Sequence, residues 1–181
     1  MRMFQFFLFS SFFIATGLAK VHGPICQWYQ SPTDSMAIHW IDENAEKIDD
    51  KYLLSYSEAG NKTWNNAEIS FRNFGNTKSK VFSVDLKNLK SNTRYAFTIS
   101  SKEKNLGKWF FKTAPMKIEN EITFVTGGDM FHTRELLDPM NLRAGTESPL
   151  FALLGGDLAY ANGVDSKKWY DWVDSWSQLA K

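Results

Sequence analysis

An all-β sandwich followed by the first βαβ unit and a helix of an α/β domain is the architecture this sequence predicts. Three observations carry it. Between Ile25 and Thr113, short alternating apolar runs are separated by turn residues about every eight to twelve positions. Two later apolar runs, Phe124-Val125-Thr126 and Phe151-Ala152-Leu153-Leu154, each stop at a glycine pair followed at once by aspartate. The last stretch, Ser166 to Lys181, repeats aromatic and aliphatic residues at helical spacing.

Residues 1–19 read as a signal peptide. Met1-Arg2-Met3 supplies a positive start, Phe6 to Leu18 an apolar stretch, and Gly17-Leu18-Ala19 the small residues a signal peptidase reads. An uncleaved anchor is the alternative, although the stretch is short for a membrane span. The expected location is secreted or periplasmic. A net charge of +1 leaves no electrostatic footprint for nucleic acid or for an acidic membrane face, so neither is expected as a partner once the leader is removed. Cys26 is the only cysteine, which excludes an internal disulfide; it reads as a small buried hydrophobe at a strand start. Asn61-Lys62-Thr63 is formally a glycosylation sequon, meaningful only in a eukaryotic source.

Within the first domain, residues 20–115, the first strand is expected at Ile25–Gln30, closed by Ser31-Pro32-Thr33-Asp34. Met36, Ile38 and Trp40 alternate with Ala37 and His39, the period of two of a strand with one buried face. On that pattern His39 is a solvated residue. Tyr52–Tyr56 follows, then Phe82, Val84 and Leu86, then Tyr95, Phe97 and Ile99, and finally Trp109 and Phe111. Trp28, Trp40 and Trp109 are core anchors on this reading. The segment Leu86-Lys87-Asn88-Leu89-Lys90-Ser91-Asn92-Thr93-Arg94-Tyr95 resembles the corner of a fibronectin type III domain. There a tyrosine pins a strand corner through its hydroxyl while its ring enters the core. Phe111-Lys112-Thr113-Ala114-Pro115 resembles the last strand of such a domain running into a linker, here residues 116–120.

The second part, residues 121–181, carries the chemistry. Ile122–Val125 and Phe151–Leu154 are short strands. Between them, Leu136, Leu137, Met140, Leu142 and Ala144 outline a helical face from Thr133 to Glu147. Pro139 should kink it, or restart it with Asp138 as cap. Strand, crossover helix and strand make a βαβ unit with a parallel pair. Parallel strands send Asp129 and Asp157 to the same carboxyl edge, where open α/β sheets bind ligands. Adjacent strands lie about 4.8 Å apart and paired hydrolytic metals about 3.5–4 Å apart, so one carboxylate can hold a metal while the other bridges. The glycine pairs allow a sharp turn and close approach of an oxyanion. Tyr160, three residues beyond Asp157, offers a hard oxygen donor suited to trivalent iron. A single Gly-Gly-Asp would be only a strand end with a turn residue; two in one βαβ frame point to a metal site.

Gly156-Asp157-Leu158-Ala159-Tyr160 is similar to the Gly-Asp-x-x-Tyr motif of purple acid phosphatases, a branch of the calcineurin-like metallophosphoesterases. The resemblance implies that Asp157 bridges two metals and that Tyr160 binds iron and gives the purple colour. Asp129 would bind the same iron. It implies a dinuclear cofactor of iron plus iron, zinc or manganese, and a phosphate monoester as substrate. The family often carries a fibronectin-like domain before the catalytic one. This chain departs from the pattern in two ways. Phe131 stands where the first motif usually has glycine, and no Gly-Asn-His or Gly-His-x-His follows Tyr160. With three histidines in all, and His132 at no position matching a family ligand, the chain supplies only part of the first-metal site. It is expected to be a truncated family member with little phosphatase activity alone. A phosphodiesterase or nucleotidase of the same superfamily, and a non-catalytic secreted binding or spacer module, are the alternative readings. The final helix places Trp169, Trp172, Val173, Trp176 and Leu179 on one face, to pack on the sheet or the sandwich, or to leave apolar surface for association.

Overall fold

The computed structural model describes residues 20–43, 45, 52–102, 105–130 and 133–177; the expected signal peptide and His132 lie outside them. Eight strands build two antiparallel sheets. One has the order β1 (Val21–Gln27), β2 (Met36–Asp42), β6 (Lys80–Leu86), β5 (Ser70–Asn73). The other runs β4 (Asn65–Ala67), β3 (Tyr52–Glu58), β7 (Arg94–Ser101), β8 (Asn105–Lys112). The two inner faces share one core, in which Ile38, Trp40, Phe82 and Val84 of the first sheet meet Leu54, Phe97, Ile99 and Trp109 of the second. Period-two alternation is the cause: residues at even spacing on β2 and β6 turn inward together.

The corner tyrosine behaves as its pattern implies. Tyr95 is buried, its ring stacks on Phe111 at 5.3 Å, and its hydroxyl accepts the Lys90 backbone N–H at 2.9 Å. Thr113 closes the same corner by donating to the Lys90 carbonyl at 2.6 Å. Tyr95→Phe should therefore cost roughly 1 kcal/mol by leaving the Lys90 N–H without its partner. Urea unfolding would read this as a lowered midpoint at constant slope.

Several expectations need correction. β1 begins at Val21 and ends at Gln27, not Gln30, because its pairing with β2 starts at Val21↔Asp42. Cys26 is consequently the sixth residue of the strand; it packs against the first core, and burial pushes its thiol up to about 12. β4 and β5 lack alternation and were not expected from sequence; both are polar strands at sheet edges. His39 is not solvated. It is half-buried between Ser83, whose hydroxyl lies 2.8 Å from its Nδ1, and the Tyr29 ring at 5.3 Å, and burial lowers its pKa.

After β8 the chain crosses to β9 (Phe124–Gly128), α1 (Arg134–Thr146), β10 (Phe151–Gly155) and α2 (Ser166–Trp176). α1 is one helix through Pro139, with Thr133 rather than Asp138 at its N-cap. The carbonyl deprived by Pro139 belongs to exposed Glu135 in the first turn, where water can satisfy it. The expected apolar face is also redrawn: Leu136 and Leu142 are exposed, and the buried positions are Leu137 and Asn141. Asn141 donates to Ser175 of α2 at 2.8 Å in a buried contact.

α2 packs on the outer face of the first sheet. Tyr170, Trp172 and Val173 form a second core with Ile41, Val81, Met130 and Leu137. The strand residues that do not face the first core, Ile41 of β2 and Val81 of β6, are the ones this core uses. β2 is thus buried on both faces. Asp165 caps α2 by accepting the Lys167 N–H at 3.1 Å.

Candidate metal centre

β9 and β10 pair in parallel from Phe124↔Phe151 to Gly128↔Gly155. Their glycines do different jobs. A Cβ on Gly128 would lie 1.7 Å from the Gly155 carbonyl oxygen, so only glycine permits the strands to approach there. Gly156 is needed for its left-handed backbone, φ +66. Gly127 and Gly155 have open space above them.

Cross-strand bonding continues beyond the strand ends. The Asp129 N–H donates to the Gly156 carbonyl at 3.2 Å, and the Met130 N–H to the Asp157 carbonyl at 3.1 Å. The two aspartates therefore sit on loops tied directly to each other. Both are exposed, and Tyr160 is half-buried. All three have left-handed backbones: Asp129 φ 52, Asp157 φ 42 and Tyr160 φ 50. Aspartate tolerates this conformation; for a bulky tyrosine it is an outlier. Such residues cost roughly 1–3 kcal/mol each and gather at ligand sites.

α2 holds both loops from behind. Lys168 Nζ donates to the Tyr160 carbonyl at 3.2 Å, and the Trp172 indole N–H donates to Met130 Sδ at 3.2 Å. The sequence reading missed both supports. Their i, i+4 spacing on one helix face was the available signal. Among the described residues, no three His, Cys, Asp or Glu side chains cluster closely enough to hold a metal. The donors that do lie on the two joined loops, two carboxylates and a phenol, are all hard oxygens. They fit trivalent iron by chemistry, as part of a ligand set.

The large cleft lies elsewhere. It measures about 1480 Å³ and is lined by Trp28, Phe110, Ile122, Phe151, Leu153 and Trp176 among others, with none of Asp129, Asp157 or Tyr160 on its wall. Trp28 reaches into it, its ring 5.7 Å from Phe151. Its lining is mainly apolar but also carries Arg94, Lys112 and Lys117.

A two-sheet antiparallel β-sandwich followed by a parallel strand pair with a crossover helix defines the class: a β-sandwich module preceding an α/β unit. The particular family follows from the sandwich. The chain belongs to the family of the purple acid phosphatase N-terminal domain, which it matches over residues 22–114. No curated protein matches it. Among solved structures, the sensor domain of the anti-sigma factor RsgI4 in Pseudobacteroides cellulosolvens is similar at 20% identity and TM-score 0.38. That likeness covers 54% of this chain and 96% of that one. Astrotactin-2, a vertebrate-specific perforin-like membrane protein, is similar at 12% identity and TM-score 0.41, over 70% of this chain and 25% of that one. PhoD is similar at 9% identity and TM-score 0.49, over 88% of this chain and 36% of its own. At these scores the three likenesses carry no functional weight. No described helix is long and apolar enough to cross a membrane.

Proposed function

We propose that residues 121–181 are the N-terminal part of a metallophosphoesterase domain, and that Asp129, Asp157 and Tyr160 together hold an iron. Asp157 would also bridge to a second metal drawn from iron, zinc or manganese. The single observation that supports this best is the coupling of the two aspartate loops through Asp129 N–Gly156 O and Met130 N–Asp157 O. Two carboxylates on the same edge of a parallel pair are suited to one shared centre. When bound, the metal pair supplies Lewis-acid polarisation of a phosphate and neutralises charge developing at phosphorus. The chain's own residues position the donors. Gly128 brings the strands together, and Lys168 holds the Tyr160 carbonyl.

The reaction served is hydrolysis of phosphate monoesters by a secreted or periplasmic enzyme, and this chain alone contributes too few donors for appreciable turnover. Titration of the purified chain with ferric iron tests the site. A visible tyrosinate absorption is expected, lost in Tyr160→Phe and weakened in Asp157→Asn. Generic aryl phosphate should be hydrolysed no faster than in metal-free buffer. A tyrosine-independent metal site with phosphodiester turnover would favour the diesterase branch instead. A second reading is a non-catalytic module whose functional part is the sandwich, the part that the family match covers. It stands if ferric iron produces no absorption and Asp157→Asn leaves metal uptake unchanged.

A further inference from the structure

His22 of β1 is fully buried, and its ring stacks on Tyr170 of α2 with centroids 4.5 Å apart. Its Nδ1 lies 2.8 Å from Asp174 Oδ2 of α2, and its Nε2 lies 2.6 Å from Glu43 Oε1, just after β2. A carboxylate only accepts, whereas a neutral imidazole has one donor and one acceptor nitrogen. Both contacts are hydrogen bonds only if the trio retains a proton that a neutral ring with two ionised carboxylates does not have.

The surroundings favour placing that proton on the ring. Lys20 Nζ faces Glu43 at 4.0 Å, and Arg134 of α1 faces Asp174 at 4.0 Å while also pairing with Asp138 at 2.7 Å. Three carboxylates therefore surround two cations, and one positive charge on His22 balances the cluster. From α2, Tyr170 presents its ring to His22 and turns its hydroxyl to Ser79 at 2.7 Å. The Gly23 N–H adds a bond to Asp174 Oδ1 at 3.3 Å.

We propose that His22 carries two protons in the folded protein at neutral pH and acts as an acid-locked latch. It bridges Glu43 to Asp174 and so holds α2, with the aspartate and tyrosine loops that α2 supports, on the sandwich. Loss of the proton to water leaves a lone pair of the buried ring against the oxygen of a partly exposed carboxylate, which weakens the docking of α2. The titration runs in the same direction. Burial works to lower the His22 pKa, but hydrogen bonds to Asp174 and Glu43 outweigh it, and the folded value is raised above 6.5. The stabilisation is therefore complete below the unfolded value and is lost as pH rises through the folded one.

Long-range proton–nitrogen NMR of the full chain at pH 7 tests the latch, with His22 assigned by the signal that disappears in His22→Gln. Two protonated ring nitrogens are expected at pH 7; a single-proton tautomer there would overturn the proposal. Hydrogen exchange supplies the functional readout. After correction for intrinsic base catalysis, protection of the α2 amides should fall by more than about twofold between pH 6 and 9, while that of β7 stays level. Asp174→Asn should remove most of this pH dependence. Protection of α2 that is independent of pH would also overturn the latch. If His22→Gln does not fold, Asp174→Asn still supplies the assignment through its shifted ring signals.

Discussion

Phe97→Ala is expected to destabilise the sandwich by about 3–5 kcal/mol, a large share of the 5–15 kcal/mol that holds a typical domain together. Phe97 has no solvent exposure and lies on β7, between β3 and β8. Its ring stands 5.7 Å from Trp109 and 6.1 Å from Phe111, and its Cα partners are Tyr56 and Trp109. Truncation removes the transfer energy of the ring and leaves a cavity that two neighbouring strands cannot close. Urea denaturation followed by tryptophan fluorescence should show a lower midpoint. A loss below about 1 kcal/mol would mean that the aromatic stack is not the centre of the core.

Gly128→Ala is the second large effect, and it falls on the candidate site. The new methyl would sit 1.7 Å from the Gly155 carbonyl oxygen and 2.8 Å from its carbon. These are backbone atoms, so no side-chain rotation relieves the clash, and the parallel pair must separate. The expected cost is about 3 kcal/mol or more, the upper end for overpacking. It should appear as lost amide protection along β9 and β10 while the β7 amides keep theirs. Asp129 and Asp157 should separate with the strands, so ferric uptake should fall in parallel. Gly127→Ala provides the contrast, because a methyl there meets no atom within 4 Å. Equal damage from the two substitutions would remove the steric account.

The same difference separates what could be read from sequence and what could not. The inner faces of β2, β6 and β7 were legible because an alternating strand with one buried side writes its partner's position into every second residue. Tyr95 was legible because its role is settled within a few residues, at the Lys90 N–H. Edge strands β4 and β5 were not, since residues such as Ser70 and Arg72 bury nothing and leave no alternation. On α1, Leu136 and Leu142 look like core residues, yet Asn141 takes the buried position because Ser175 of α2 meets it.

For the candidate site, Asp129, Asp157 and Tyr160 stood out from local motif alone, since each follows a glycine-ended strand in a few residues. Their shared left-handed backbones and the carbonyl held by Lys168 did not. His22 is the clearest case of this kind. Nothing near it in the chain marks it, and its partner Asp174 lies 152 residues away. Local periodicity and turn chemistry are short-range physics and so survive in a one-dimensional string. The pairing of a buried imidazole with two carboxylates, and the choice of which helix face is buried, depend on contacts between distant segments. Those exist only once the sandwich has closed and α2 has docked on its outer sheet.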